Sequence, residues 1–157
     1  MNVFYEFHKI VQELEKEKIR YVLIGGVAMA FHDQARFTKD IDLLTEEGDL
    51  SSIDKILKAK GYEASDSTIS FKSGLDLKRF WKVEDGDEMI VDVLCGTTPR
   101  HRKVIENALK AHSKGTGLVR VATKRDLIWL KSQRNSALDR ADIEHLESNE
   151  KDGWGRR

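Results

Sequence analysis

A single carboxylate lies inside an otherwise apolar segment, MIVDVLC, at residues 89–95. This segment predicts a buried strand, residues 89–94, in which Asp92 shares its face with Ile90 and Leu94. A buried carboxylate without a partner costs several kcal/mol, so Asp92 needs a metal ion, a cation or a strong hydrogen-bond donor. A buried pair with an arginine, or a place at the exposed end of the strand, is the structural alternative to a metal ion.

Two further carboxylates flank one isoleucine in the sequence DIDLLT. If this segment is a strand, Asp40 and Asp42 project from one face, while Ile41 and Leu43 point into the core. Like charges so close raise the pKa of at least one member unless a cation lies between them. Mg²⁺ commonly binds one or two carboxylates together with substrate phosphates. A solvated strand end explains this pair taken alone, but with Asp92 the three carboxylates favour a metal site.

A glycine pair, Gly25-Gly26, separates a short apolar strand, residues 21–24, from a helical segment, residues 27–32. This order exposes backbone N–H groups at a helix N-terminus, where the helix dipole favours a phosphate group. The pair matches neither the dinucleotide-binding pattern nor the P-loop pattern, and alone it most often marks a turn. The cations considered for phosphate contacts are Arg36, Lys39, Lys124, Lys131 and Arg134.

Hydrophobic periodicity predicts an α/β (α+β) fold, with a mixed, mostly antiparallel central sheet and helices around it. The Asp85-Gly86 turn between two β-rich segments predicts an antiparallel hairpin, because glycine tolerates the positive φ of tight turns. The predicted helices cover residues 3–14, 27–32, 50–57, 104–109, 123–134 and 138–147, and the predicted strands cover residues 21–24, 40–45, 68–72, 77–83, 89–94 and 118–121.

The length of 157 residues suits one ordinary domain. We expect this domain to cover residues 1–148, with a core in residues 1–96 and a mainly helical part in residues 97–148, followed by a flexible tail in residues 149–157. The 27 basic and 27 acidic residues balance, but residues 1–96 carry a formal charge of −6 and residues 97–157 carry +6. Either the two parts simply attract each other, or metal-binding carboxylates lie in one part and phosphate-binding cations in the other.

Cysteine content and hydropathy indicate where the protein works. Cys95 is the only cysteine, which excludes a disulfide scaffold and a four-thiolate zinc site. No apolar run approaches the roughly 20 residues that span a bilayer. We therefore expect a cytoplasmic protein that does not contact membranes.

Taken together, these residues resemble the polymerase-β-like nucleotidyltransferase superfamily. Its signature is a strand ending in a GG or GS turn, then an R-x-T-x-D-h-D segment (h, hydrophobic), then a third aspartate in an apolar strand. The matching residues here are Gly25, Gly26, Arg36, Thr38, Asp40, Asp42 and Asp92. A second segment, residues 127–146, resembles the C-terminal region of small bacterial members, including AbiEii-type toxin nucleotidyltransferases. Its matching residues are Lys131, Asp139, Asp142 and Leu146.

The resemblance implies a nucleotidyltransferase fold with a helical C-terminal part. It also implies a metal-dependent enzyme that transfers a nucleoside monophosphate from an NTP to an acceptor and releases pyrophosphate. In the family, Asp40, Asp42 and Asp92 would be catalytic and would bind two Mg²⁺ ions, with Mn²⁺ as an alternative. The residues that the resemblance places at the nucleotide are Gly25, Gly26, Arg36, Thr38, Lys39 and Lys131.

The resemblance leaves the acceptor open among tRNA, proteins and small molecules such as antibiotics. It also implies the toxin of a toxin–antitoxin pair, with an antitoxin or a second copy of the chain as partner. A non-catalytic nucleotide-binding or interaction module with the same fold, and a metal-dependent phosphohydrolase, are the alternatives. Lys131 and Arg134 are only three residues apart, and either could be the cation that contacts the nucleotide.

Overall fold

A computed structural model describes residues 2–33, 38–113 and 117–153 of the chain, with side chains up to residue 148. Helices and strands alternate along the N-terminal part, and a long hairpin, a helix, a second hairpin and two further helices follow. The helices are α1 (Val3–Lys16), α2 (Gly25–Ala30), α3 (Glu47–Ala59), α4 (Pro99–Glu106), α5 (Lys124–Arg134) and α6 (Ala137–Gly153). The strands are β1 (Val22–Ile24), β2 (Asp40–Thr45), β3 (Glu63–Ala64), β4 (Ile69–Ser70), β5 (Leu75–Glu84), β6 (Asp87–Gly96), β7 (Leu109–Ser113) and β8 (Gly117–Val121).

The eight strands of the described residues join one mixed sheet in the order β3-β5-β6-β2-β1-β8-β7, and β4 also pairs with β5. The β2–β6 and β1–β8 pairs are parallel, and the other strand pairs are antiparallel. This arrangement confirms the predicted mixed, mostly antiparallel sheet flanked by helices. The predicted hairpin is β5–β6, whose turn residues Asp85 and Gly86 have φ values of 52° and 78°. Two consecutive positive φ values give the turn that matches the twist of the two strands.

The hydrophobic core lies between the sheet and the apolar faces of the helices. Helix α1 buries Phe7, Ile10 and Leu14 at three- and four-residue steps, as its periodicity predicts. Ile41 and Leu43 of β2 are fully buried, which confirms that their face of the strand points into the core. None of the helices in the described parts of the chain is both long and apolar enough to cross a bilayer.

The structure differs from the periodicity around residue 109. Helix α4 ends at Glu106, with Asn107 as its C-cap, whereas the sequence predicts a helix through Leu109. Leu109 instead begins β7 and pairs with Val121 of β8. The short apolar spacing around Ala108 fits either element, and the pairing with β8 selects the strand. Residues 97–148 therefore contribute a β-hairpin as well as helices.

The C-terminal helix is longer than its apolar period indicates. Helix α6 runs to Gly153, whereas the predicted helix stops at residue 147 and a flexible tail is expected over residues 149–157. The extension, SNEKDG, contains no apolar residue, so hydrophobic periodicity gives no signal for a helix there. Residues 154–157 lie outside the described residues, and the flexibility of the tail stays a prediction.

A buried carboxylate links α1 to the long hairpin. Glu6 accepts hydrogen bonds from the Tyr62 hydroxyl at 2.7 Å and from Lys82 Nζ at 2.7 Å, and Lys9 Nζ lies 2.9 Å from its other oxygen. Burial alone would raise the pKa of Glu6, but the hydrogen bonds from Lys82, Lys9 and Tyr62 outweigh it and lower the pKa from 4.5 to about 2. Glu6 therefore stabilises the fold in its ionised form.

We expect Glu6→Gln to lower the free energy of unfolding at pH 7 by about 3 kcal/mol, because Lys82 loses its buried partner. Since the folded pKa is depressed, this contribution is complete above pH 4.5 and is lost as the pH falls towards 2. The difference between wild type and variant in urea titrations should thus shrink between pH 5 and pH 2. Glu144→Gln, at an exposed position of α6, is the control; a constant difference across this pH range would contradict the assignment.

Candidate active site

Four aligned residues cross the middle of the sheet in one row. Arg79 of β5 pairs with Asp92 of β6, Asp92 pairs with Asp42 of β2, and Asp42 pairs with Ile24 of β1. Residues opposite one another on neighbouring strands project from the same face of a sheet. The register therefore brings together two of the predicted catalytic aspartates, and Asp40 lies two residues along β2 on the same face.

The electrostatics of β2 reflect this crowding of carboxylates. Burial, and then the charges of Asp92 and Asp40, raise the pKa of Asp42 from 3.8 to about 7, while Arg134 and Lys131 lower it only in part. Burial and the charge of Asp92 also raise the pKa of Asp40. Both shifts have the direction that the sequence predicts for closely placed carboxylates. The cluster thus favours any ligand that brings positive charge.

The third aspartate has a cation at its side. Arg79 Nε lies 2.8 Å from Asp92 Oδ1, and Arg79 Nη2 lies 2.9 Å from Asp92 Oδ2. Both oxygens are thus engaged in a bidentate pair, the arrangement with an arginine that the sequence leaves open for this buried residue. Sequence reasoning missed Arg79 itself. The sequence does contain a signal for it. A two-residue turn at Asp85-Gly86 pairs the residues on either side of it, and continuing this register along the hairpin pairs Arg79 with Asp92.

Gly25 brings the backbone against the Asp42 carboxylate. Its φ is +74°, in the left-handed region that glycine tolerates, and a Cβ at this position would collide with Asp42 Oδ2. Gly25 begins α2, so the predicted strand–glycine–helix order is confirmed and lies beside the aspartates. Gly26 follows inside α2 and is buried.

Thr38 and Lys39 directly precede the first residue of β2, Asp40. Thr38 Oγ1 donates to the Asp40 carbonyl at 3.3 Å, and Asp40 N donates to Thr38 Oγ1 at 3.4 Å. The hydroxyl therefore fixes the start of the strand. Lys39 is exposed, and its charge acts on Asp40. Arg36, the remaining predicted nucleotide contact of this segment, lies outside the described residues.

Helix α5 supplies two cations of different character. The Lys131 side chain is 8% exposed, and its Nζ lies 3.0 Å from Asp142 Oδ2 of α6. The Arg134 side chain is 67% exposed, and its Nε lies 3.5 Å from Asp139 Oδ2. Asp139 also accepts hydrogen bonds from the Ser136 N–H and hydroxyl, as in a capping box at the start of α6. Asp139 and Asp142 thus hold α5 and α6 together.

Two cavities adjoin the aspartates. A small one, of about 40 Å³, lies beneath α5 and touches Gly25, Asp42 and Lys131. A cleft of about 500 Å³ lies between the β4–β5 region and the end of α5. Its lining includes Asp42, Asp92, Arg79, Arg134, Lys72 and Phe71. A cleft of about 710 Å³ elsewhere, near Tyr21 and Arg120, contains none of the predicted site residues.

The donor set fits a hard divalent cation in kind, since it consists of three carboxylates on adjacent strands of one face. Burial raises the pKa of Asp42 most, and the charges of Asp92 and Asp40 raise it further, so a bound cation would stabilise the ionised carboxylate. Within the described ranges, however, no three His, Cys, Asp or Glu side chains are grouped as they stand for a metal ion. In this arrangement the cation beside Asp92 is the guanidinium of Arg79.

We expect Gly25→Ala to destabilise the protein by at least about 2 kcal/mol, because alanine is strained at this φ and its Cβ collides with Asp42. Gly48→Ala is the matched control, since Gly48 lies in helix α3 with no atom within 4 Å of an added Cβ. That variant should be as stable as wild type or slightly more stable. Thermal unfolding of both variants tests the expectation, and equal midpoints would refute it.

Solved structures with the same fold include enzymes that act on antibiotics. A protein from Thermotoga maritima described as a candidate nucleotidyltransferase is 17% identical, with 94% of this chain and 90% of that chain covered and a TM-score of 0.59. The lincosamide antibiotic adenylyltransferase LnuA, bound to lincomycin, is 15% identical, with 92% and 96% covered and a TM-score of 0.58. ANT(2'')-Ia in complex with adenylyl-2''-tobramycin is 16% identical, with 90% and 85% covered and a TM-score of 0.62. These likenesses establish the nucleotidyltransferase fold.

Sequence comparison gives the family. No curated protein matches the chain. Residues 1–147 match the sequence model of a family described as "Uncharacterised nucleotidyltransferase". The match covers the glycine turn, the three aspartates and the α5–α6 segment. The chain therefore belongs to this nucleotidyltransferase family.

Proposed function

We propose that the protein transfers a nucleoside monophosphate from an NTP to a hydroxyl acceptor, with release of pyrophosphate, at the face of the sheet that carries Asp40, Asp42 and Asp92. The observation that supports this most strongly is the in-register pairing of Asp42 with Asp92, with the Gly25 backbone against Asp42. The carboxylates and the backbone of the glycine turn are thus in direct contact at one place on the sheet. Family membership supports nucleotidyl transfer as the reaction.

Asp40, Asp42 and Asp92 would hold two Mg²⁺ ions, for which Mn²⁺ could substitute. Such ions lower the pKa of an attacking hydroxyl and neutralise the departing pyrophosphate. The chain's own part is to keep three carboxylates on two paired strands, so that none has to be ordered during the reaction. A reaction in which metal ions activate the acceptor and the carboxylates position the ions requires no nucleophilic side chain. The sequence contains no recognised nucleophile motif.

The phosphates would lie at the turn formed by Gly25 and Gly26, where α5 lines the same small cavity as Gly25. Gly25 supports this, because its missing side chain lets the backbone of the turn approach the Asp42 carboxylate closely. The side chains proposed to contact the nucleotide are Arg36, Thr38, Lys39 and Lys131. Lys131 borders the small cavity with Gly25 and Asp42, and reaching the nucleotide would loosen its ion pair with Asp142.

The acceptor would enter the 500 Å³ cleft, which holds Asp92 and the exposed ring of Phe71. The size of the cleft suits a small molecule or the end of a larger one. Acceptors of the tRNA, protein and small-molecule classes, the role as a toxin, and an antitoxin or second copy as partner all stay predictions. The cleft itself favours none of these classes.

We expect Asp42→Asn to reduce transfer of label from α-³²P-labelled NTPs by at least about 100-fold, because an amide cannot replace a metal-binding carboxylate. The assay offers each of the four NTPs with Mg²⁺ to purified protein, RNA and cell extract. Asp66→Asn is the control, because Asp66 is exposed and lies outside the site. Circular dichroism of both variants shows whether the fold is kept.

The products of that assay separate the alternatives. Transfer to a macromolecule or small molecule with pyrophosphate release supports the proposal, and the labelled species identifies the acceptor class. Labelled nucleoside diphosphate together with unlabelled inorganic phosphate, without transfer, would indicate a phosphohydrolase. Metal-dependent NTP binding without turnover in any extract would indicate a non-catalytic module.

We expect Lys131→Met to raise the KM for NTP by about tenfold and to lower stability, because a charge-assisted phosphate contact and a buried ion pair are both lost. Asp142→Asn is the matched control, since it breaks the same ion pair but keeps the cation. It should lower stability comparably and leave KM within about twofold of wild type. Equal increases of KM in both variants would mean that Lys131 acts only through the packing of α5 on α6.

A further inference from the structure

The Arg79 side chain lies partly in solvent and partly against the buried carboxylate of Asp92. Its partner Asp92 is 9% exposed, whereas the Arg79 side chain is 49% exposed and reaches the carboxylate from the cleft. The guanidinium can therefore turn away into solvent or towards a ligand without disturbing the core. Asp92 cannot turn away, because it belongs to a strand whose neighbouring residues Val91 and Val93 are fully buried.

The bidentate pair conflicts with a second cation at the same carboxylate. Arg79 engages both oxygens of Asp92, and the negative charges of Asp40 and Asp42 also attract it. A divalent ion placed between these aspartates would stand close to a guanidinium that cannot lose its proton. Like charges at such short range disfavour each other strongly even with partial solvent screening. Arg79 must therefore leave Asp92 before both oxygens of that carboxylate are available to coordinate a metal ion.

The cleft offers Arg79 a second partner when an anion is present. Arg79 lines the same cleft as Asp42 and Arg134, and its planar donor fork matches phosphate oxygens as well as a carboxylate. A triphosphate beside Asp42 is thus within the region that Arg79 already borders. Exchange of Asp92 for a phosphate group would free the carboxylate and keep the guanidinium paired.

Building on the proposed function, we propose that the Arg79 guanidinium neutralises Asp92 in the nucleotide-free protein and occupies the place of a metal ion at that carboxylate. It leaves Asp92 when a phosphate group of the NTP binds the guanidinium. Arg79 is in this sense a positioning residue that makes metal binding depend on the nucleotide. The free protein then binds divalent ions weakly, and ion and nucleotide bind cooperatively.

The test measures Mn²⁺ binding to nucleotide-free protein by electron paramagnetic resonance. Arg79→Gln should bind Mn²⁺ at least about tenfold more tightly than wild type, because a unit positive charge has left the site. Lys78→Gln is the matched control, since it removes the same charge from the neighbouring residue of β5. Lys78 forms its ion pair with Asp54 and not with one of the three aspartates. That variant should stay within about twofold of wild type. Adding Asp42→Asn to Arg79→Gln should abolish the gain, which locates the ion at the aspartates.

A second arm adds a non-hydrolysable NTP analogue with a bridging methylene between its α- and β-phosphorus atoms. The analogue should increase the Mn²⁺ affinity of wild type more than that of Arg79→Gln, because only wild type has a guanidinium to displace. Should Arg79→Gln fail to fold, Arg79→Lys is the second variant. Lysine keeps the charge but cannot form the bidentate pair with Asp92, so a metal ion should displace it more easily and the Mn²⁺ affinity should be higher than that of wild type.

Equal Mn²⁺ affinity in wild type and a folded Arg79→Gln, or weaker binding in the variant, would overturn the proposal and leave Arg79 a structural partner of Asp92. Failure to bind Mn²⁺ in every protein would overturn it as well. The titration needs no turnover, so these results are distinct from failure of the proposed reaction, which the labelling experiment with Asp42→Asn reports.

Discussion

The parallel pairing of β2 with β6 holds two carboxylates side by side, and much of the surrounding structure compensates for this repulsion. The pairing aligns Asp42 with Asp92, and its register runs from Asp40 to Thr45 on β2. A shift by one residue would turn every side chain of one strand to the other face. The buried residues Ile41 and Leu43 forbid that shift, because they would lose their place in the core. Apolar packing on one face thus fixes the acidic cluster on the other.

The cations around the cluster compensate for it only in part. Arg79 is bonded to Asp92, whereas Lys131 and Arg134 have partners of their own on α6. Burial and the charges of Asp92 and Asp40 raise the pKa of Asp42 to about 7, and the two helical cations lower it only in part. The opposite charges of the two parts of the chain therefore meet at the site without cancelling there. Attraction between the two parts accounts for the charge asymmetry without a metal ion, and metal binding at the aspartates stays a proposal.

Much of this arrangement can be derived from local sequence signals. Alternating side chains in DIDLLT, the glycine pair and the turn Asp85-Gly86 each specify their own element, because a strand, a turn and a hairpin depend on neighbouring residues. Even the Arg79–Asp92 pair follows from the hairpin register, although it requires counting rather than a motif. The alignment of Asp42 with Asp92 does not follow, because β2 and β6 are distant in sequence and no short turn sets their register. The strand that begins at Leu109 was missed for the same reason, since only its partner β8 distinguishes it from a helix.

Charge balance relates the arrangement of the aspartates and arginines to the proposed reaction. A nucleoside triphosphate carries about four negative charges at neutral pH and two divalent ions carry four positive ones, so their joint arrival leaves the net charge of the site unchanged. Ions alone would crowd Arg79 and Arg134, whereas a nucleotide alone would add negative charge beside Asp42. Arg79 and Arg134 would thus oppose the ions without the nucleotide, and the aspartates would oppose the nucleotide without the ions. An arginine that can change partners between Asp92 and a phosphate lets both ligands bind while every charge keeps a counter-charge.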